Sequence, residues 1–257
     1  MNLKHILFFT AACCAAFPAV AEDSDEKAES SHVEIILADG DTITGYMRND
    51  AKTILKNMFS KTGTIRQYIN VGKEPKGGET QRYNAPQICQ YRFLEATEGY
   101  PEGAICVSDM INSPGLFKPM RFVRGFAWLR DRRESGSIMR WDVWESTGGQ
   151  NSITRLVPAI GVRFKGAAGA IPVMVNGRFS DSLMLIYLKK KYPDLYKAWN
   201  EYFHKSKDAK AHRREFSDNP SSALLFYEDF MQTHDPLNDE ITENDEPTKE
   251  DEGKGKE

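Results

Sequence analysis

The middle of the chain consists of short runs in which apolar and polar residues alternate. Residues 33–37 and 42–47 flank Asp39-Gly40, a dipeptide typical of hairpin turns. Further strand-like runs, separated by glycine- and proline-rich turns, cover residues 64–71, 80–84, 88–94, 103–108, 119–130, 137–146, 153–164 and 171–175. Many strands at hairpin spacing predict a mainly antiparallel β body over residues 32–178, either a sandwich or a partly closed barrel.

The pattern changes to helical periodicity after residue 178. Helices are predicted over residues 183–191, from Pro193 onward, and after Asn219-Pro220. In the second helix the residues predicted to face the sheet are Leu195, Trp199 and Tyr202. The stretch 207–216 is expected to be too polar to be buried. The predicted fold class is therefore α+β, a β body followed by a C-terminal helical segment over residues 179–234 that packs on it.

The N-terminal 21 residues have the features of a secretory signal peptide. Lys4 precedes an apolar run over residues 6–20, and Ala19-Val20-Ala21 stands before Glu22. We expect cleavage between Ala21 and Glu22, and a periplasmic or secreted protein. A lipoprotein signal ending at Cys13 fits less well. The run is shorter than the roughly 20 residues that span a bilayer, so no transmembrane anchor is expected after cleavage.

The formal net charge of -3 is divided unevenly along the chain. Residues 22–31 carry five acids and one Lys, and residues 235–257 carry ten acids and three Lys, which leaves +7 for residues 32–234. These two acidic, aromatic-free segments are predicted to be a disordered linker and a disordered tail. With 40% hydrophobic residues overall, the chain can form a core and is not wholly disordered.

Loss of a signal peptide would leave Cys89 and Cys106 as the cysteines of an exported chain. Their strand-like runs can pair across the turn near Pro101, so a Cys89–Cys106 disulfide is predicted. The alternative is two buried free thiols.

The layout as a whole resembles a known class of sequences. An export signal is followed by an opening V-x-I-x-L-x-D-G-D-x-I-x-G-Y hairpin over residues 33–46, further strands and a helical end. This layout is similar to that of a loose class of uncharacterised exported proteins of Gram-negative gut bacteria. The resemblance implies export and a β-rich body, and it carries over no functional residue.

The run 138–145 contains the first candidate binding site. Period-two alternation puts Met139, Trp141 and Val143 on one face and Arg140, Asp142 and Trp144 on the other. An aromatic ring beside an acid and a guanidinium can stack on a sugar ring while its neighbours bind hydroxyl groups, so the predicted ligand-binding residues are Trp144, Arg140 and Asp142. The alternative is a Trp144 that is covered by the helices.

A basic segment precedes this run and forms a second candidate surface, made of Arg121, Arg124, Arg130, Arg132 and Arg133. Residues 124–131 (RGFAWLRD) partly match an RNA-recognition strand. The βαββαβ layout of that domain is missing and the chain is expected to be exported, so no nucleic-acid partner is predicted.

No complete catalytic, metal-binding or phosphate-binding motif occurs in the sequence, so no catalytic residue, metal or cofactor is predicted. The sequence favours an exported, non-catalytic binding or scaffolding protein of the cell envelope, with an envelope protein or glycan as partner. One alternative is a glycan hydrolase of the envelope whose acids converge from separate strands. Another is a carrier that encloses a small apolar ligand.

Overall fold

A computed structural model describes residues 30–48, 65–97, 99–113, 121–146 and 154–234. Its strands form one eleven-stranded sheet that is not closed, in the order β11-β10-β9-β8-β7-β6-β5-β1-β2-β3-β4, with antiparallel neighbours. The strands are β1 Ser30–Leu37, β2 Thr42–Arg48, β3 Tyr68–Gly72, β4 Thr80–Asn84, β5 Ile88–Phe93, β6 Ile105–Asn112, β7 Phe122–Arg133, β8 Gly136–Ser146, β9 Thr154–Phe164, β10 Ile171–Val175 and β11 Arg178–Phe179.

The part of the sheet from β6 to β10 curls strongly. A single parallel bridge joins Ile111 of β6 to Ala170, just before β10, and the Asn112 N–H donates to the Ala170 carbonyl over 2.8 Å. The side chains inside this curl include Val107, Ile111, Ala127, Met139, Trp141 and Ala159, all buried. Apolar side chains on alternate positions of these strands thus meet around a common centre, as the alternation in the sequence predicts.

Four α-helices follow the sheet: α1 Ser182–Lys191, α2 Pro193–Asn200, α3 Ala209–Asp218 and α4 Ser222–Thr233, with a π-helical turn, Glu201–Lys205, between α2 and α3. Their buried residues pack against β8, β9 and β10 in a core that includes Leu188, Leu195, Trp199, Phe203, Phe216 and Leu224. The α+β class, with a β body followed by helices, is confirmed. No helix in the described ranges is long and apolar enough to cross a membrane.

The expectation that residues 207–216 are too polar to be buried holds for all of them except Ala209 and Phe216. They belong largely to α3, in which Phe216 is fully buried and meets Phe179 edge to face, with 5.7 Å between the ring centroids.

Several predictions lie outside the described residues. These are cleavage between Ala21 and Glu22, residues 22–29 of the predicted linker 22–31, and the acidic tail from residue 235. The last two residues of the predicted linker, Ser30 and Ser31, belong to strand β1.

The predicted Cys89–Cys106 disulfide is not formed, and both cysteines are free. Cys106 pairs across the sheet with Tyr91, whereas Cys89 lies at an irregularity where β1 pairs with residues 88 and 90 of β5. That irregularity leaves Cys89 exposed while Cys106 is buried. The alternative of free thiols is correct for both residues, but the burial it assumed holds only for Cys106.

We expect the two thiols to differ strongly in reactivity. Burial raises the pKa of Cys106 to about 11, which leaves almost no thiolate at neutral pH, whereas Cys89 is open to solvent. Alkylation of the native protein, followed by peptide mass spectrometry, should label Cys89 first and Cys106 only after unfolding. Equal labelling of the native protein, or recovery of a Cys89–Cys106 cross-link, would contradict this arrangement.

Substitution of Gly161 tests the packing inside the curl. A Cβ at this position would overlap ring carbon Cη2 of Trp141, so Gly161→Ala should lower the free energy of unfolding by about 1–3 kcal/mol. Gly72→Ala is the matched control, because its Cβ would meet only the flexible end of Arg48, 3.0 Å away. Equal unfolding midpoints for the two variants in urea would show that the Trp141 contact is not tight.

Candidate functional site

The sheet forks between β7 and β8. The two strands pair from Arg133 and Gly136 back to Trp128 and Arg140, where their pairing ends. Beyond that point β8 continues along β9 alone, and the Phe126 N–H of β7 donates instead to the carbonyl of Arg66 over 2.9 Å. Trp128 and Arg140 form the last pair before the fork, and on their outer sides Trp128 pairs with Cys106 of β6 and Arg140 with Ile160 of β9.

Trp128 lies at the apex and is half-buried. The guanidinium carbon of Arg130 lies 4.3 Å from the centroid of its ring, and that of Arg140 lies 5.4 Å away. Arg130 can reach the ring because the pairing of β7 with β8 skips this residue at a β-bulge between Leu129 and Asp131. Two cationic groups are thus held on one indole by cation–π attraction.

Packing against other aromatic rings fixes the position of Trp128. Its ring meets Tyr100 with 5.5 Å between centroids, and Tyr100 stacks on buried Phe93 at 4.6 Å. Burial raises the pKa of Tyr100 to about 12, so its hydroxyl stays protonated at physiological pH. We call Tyr100, Trp128, Arg130, Arg140 and Asp142 the Trp128 site.

The Trp128 site adjoins an open groove of about 440 Å³. One wall is the segment 101–105 and the other is residues 128–132 of β7. Arg130 and Arg132 therefore both border the groove, and both are exposed. The groove is open to solvent, and both apolar and charged residues line it.

Asp142 adds a carboxylate to this group. Although Asp142 reaches the surface, desolvation by its neighbours raises the pKa of its carboxyl, and the charges of Arg140 and Arg66 partly offset that rise. Both arginines attract the ionised form of Asp142. The Trp128 site thus offers donors and an acceptor in one place.

Other arginines of the described residues are held by a carboxylate or by a different ring. The guanidinium carbon of Arg82, for example, lies 4.1 Å from the centroid of the Tyr68 ring. Side-chain carboxylates form salt bridges with Arg92, Arg133, Arg155, Arg163 and Arg214. Arg130 and Arg140 both lie over the Trp128 ring, and the charge of Arg140 also acts on the carboxyl of Asp142. An indole holds a guanidinium without using its N–H donors, which stay available for an anion.

The structure brings only some of the predicted site residues together. Arg140 and Asp142 do lie on one face of β8, with Met139 and Trp141 buried on the other. Trp144 pairs with Leu156 through its backbone, and its side chain lies outside the described residues. The aromatic residue that the structure places beside Arg140 is Trp128.

The predicted basic surface is divided along β7. Arg130 and Arg132 lie at the groove, while Arg133 is bound by Asp131 and Glu228. Arg124 is four residues from Trp128, about 13 Å along an extended strand, and Arg121 lies just before the start of β7. Arg121 and Arg124 therefore do not contribute to the Trp128 site.

A second polar cluster lies at the start of α1. The buried carboxylate of Asp181 accepts the Trp199 indole N–H over 2.7 Å and lies 2.8 Å from His204 Nε2. His204 is on the π-helical turn, whose carbonyls at Tyr202 and Phe203 are bonded by His212 and Arg213 of α3. These bonds tie α1, α2, the π-helical turn and α3 together, so we assign the cluster to the fold. The described residues include no group of three or more His, Cys, Asp or Glu side chains placed to hold a metal ion.

Comparisons of the chain with models of protein families, with curated proteins and with solved structures find no match.

The two aspartates near the fork should have opposite effects on stability. Ionised Asp142 disfavours the folded state, because its folded pKa is raised. Asp142→Asn should therefore raise the free energy of unfolding at pH 7, and the gain should fade as pH falls through the folded pKa and be gone below about 3.9, the unfolded value.

Asp131 provides the matched control. The hydroxyl of Ser221 and, more weakly, Arg133 lower the pKa of its carboxyl, so ionised Asp131 stabilises the folded state. Asp131→Asn should lower the free energy of unfolding at pH 7. This loss should shrink as the pH falls below the unfolded pKa of Asp131, and it should disappear once the pH is below the folded pKa. Urea unfolding of both variants from pH 3 to 7 measures these differences. If both variants changed the free energy of unfolding in the same direction at pH 7, the environment described for one of the two aspartates would be wrong.

Proposed function

We propose that the protein is an exported, non-catalytic binding protein of the cell envelope, and that it binds an acidic glycan at the Trp128 site. The observation that carries this proposal is the convergence of two guanidinium groups on one indole beside an open groove. Export is the part of the proposal that rests on the sequence alone, on the signal-like residues 1–21.

The donors of the site fit an anionic group. A guanidinium presents planar N–H pairs that bind a carboxylate or a sulfate through two parallel hydrogen bonds. Because Trp128 already orients Arg130 and Arg140, less side-chain entropy is lost when a ligand binds. Exposed Arg132, at the edge of the groove, can attract a second acidic unit.

The remaining features fit a carbohydrate better than a simple anion. Tyr100 and Trp128 offer apolar ring edges with polar ends, which suit the mixed surface of a sugar. The carboxylate of Asp142 can accept hydrogen bonds from hydroxyl groups. An open groove with exposed walls admits a chain of several sugar units.

The raised pKa of Asp142 is the one observation that favours the hydrolase alternative, since a protonated carboxyl can act as a general acid. A hydrolase would release reducing ends from the glycan over time, whereas a binding protein would leave the glycan intact. A reducing-end measurement on the glycan after incubation with the protein distinguishes the two, and steady release would contradict the non-catalytic part of the proposal.

We expect a uronic-acid hexasaccharide to bind, and a neutral hexasaccharide of the same linkage to bind much more weakly, in isothermal titration calorimetry. Arg130→Gln and Arg140→Gln should each weaken binding about tenfold or more, because each removes a charge-assisted contact. Trp128→Leu should weaken it similarly by releasing both guanidiniums, with partial rescue in Trp128→Phe.

Arg155→Gln is the matched control, because Arg155 is an exposed arginine in a salt bridge with Glu145. It removes the same charge without touching the Trp128 site and should leave the affinity nearly unchanged. Equal loss in Arg155→Gln and Arg130→Gln would mean that binding follows overall charge and not this site. Failure of the acidic hexasaccharide to bind more tightly than the neutral one would refute the proposal.

A further inference from the structure

We propose that the acidic segment 235–246 binds the arginines of the Trp128 site within the same molecule and competes there with the ligand. The proposal rests on the function proposed above, since it assigns a regulator to that same site. Its basis is the charge of the segment, the point where α4 delivers it, and the distance that it must cover.

The segment is the most acidic part of the chain. Residues 235–248 contain six Asp and Glu and no Lys or Arg, whereas the three Lys of the tail all lie in residues 249–257. Paired guanidinium groups bind carboxylates well, because a guanidinium can donate two parallel N–H hydrogen bonds to one carboxylate. The first half of the tail is therefore the better match for the Trp128 site.

Helix α4 leads directly from the groove to the tail. At its start, the Ser221 hydroxyl binds the carboxylate of Asp131, a residue of the groove wall. Further along, Glu228 accepts hydrogen bonds from Arg133 and from the Ser135 hydroxyl. Three contacts thus fix α4 against the end of the β7–β8 hairpin.

The distances allow the contact easily. From Glu228 to His234 the helix rises about 9 Å, and from Ser221 to His234 about 20 Å. Residues 235–246 can extend over roughly 40 Å, at about 3.3 Å per residue. The acidic segment is therefore long enough to reach back along α4 to Arg132, Arg130 and Arg140.

A short tether makes the contact effective even if each ion pair is weak. A tether of this length gives an effective concentration in the millimolar range, which an external ligand must overcome. Contacts between exposed charges are screened by salt, so the competition should be strong at low ionic strength and disappear near 0.5 M. The tail would thereby restrict occupation of the site to ligands with several acidic groups.

The test compares full chains that differ only in charge. One variant neutralises the segment: D235N, D239N, E240Q, E243Q, D245N and E246Q. It should bind the uronic-acid hexasaccharide about five- to tenfold more tightly than the parent at low salt, and equally at about 0.5 M salt. In an Arg130→Gln, Arg140→Gln background, the same neutralisation should have little effect.

The other acidic segment supplies the matched control. Neutralising the five acids of residues 22–29 removes a similar charge from a segment that also contains Lys27. It should change the affinity less than twofold. If both neutralised variants gained affinity equally, specific competition by residues 235–246 would be refuted. It would also be refuted if neither variant gained affinity while the parent protein still bound the hexasaccharide.

A second measurement remains decisive if no ligand binds and the function proposed above fails. A nitroxide on Asn244→Cys, in a Cys89→Ser background, should broaden the side-chain NMR signals of Arg130 and Arg140 at low salt and spare that of Arg92. The broadening should vanish at high salt. Its absence at low salt would refute the contact between the tail and the site, whatever the ligand.

Discussion

The pairing of Trp128 with Arg140 at the last rung between β7 and β8 is the constraint on which the site depends. Cross-strand neighbours on one face lie about 5 Å apart, so this register alone puts the guanidinium of Arg140 within reach of the indole. The bulge at Arg130 brings a second guanidinium to the same ring. A one-residue slip would turn Arg140 to the opposite face and place Trp128 beside Met139 or Trp141.

Two sets of contacts hold this register, one inside the curl and one between the hairpin and α4. Inside the curl, Trp141 packs against Gly161, which allows no side chain there, and this contact fixes β8 on β9. On the other side, α4 is joined to the end of the hairpin through Asp131 and Glu228. The fork is therefore a branch point between two packed regions, and not a loosely held sheet edge. Rigid support of this kind is what precise placement of binding groups requires.

Much of the fold follows from local sequence patterns. Strands β4 and β10 have the bounds that alternation predicts, and Asp39-Gly40 does connect the first hairpin. The helix over α1 is also where periodicity puts it. Each of these elements depends on nearest neighbours in sequence, which is why the pattern is sufficient. Helix α3 is mostly exposed or half-buried, as its polar composition predicts, but the burial of Phe216 could not be predicted because only the tertiary fold gives that ring its partners.

The site was only half visible in the sequence. Alternation gave Arg140 and Asp142 a common face, but it gave the aromatic role to Trp144 and not to Trp128. The choice depends on which strands are neighbours and on the bulge at Arg130, and both are non-local. Tyr100 comes from a turn 28 residues away in sequence, with no local signal. The basic and aromatic composition of residues 124–131 was the available signal for this position, although its match to an RNA-recognition strand pointed to another ligand.

Side-chain NMR of the arginine Nε–H groups tests the central claim most directly, because it observes the guanidiniums themselves. On titration with a uronic-acid hexasaccharide, the signals of Arg130 and Arg140 should shift together and saturate with the calorimetric affinity. Those of Arg92 and Arg155, held by Glu34 and Glu145, should stay in place. Uniform small shifts of all four, or a localised shift elsewhere, would contradict the account of Trp128 as the organiser of a binding site.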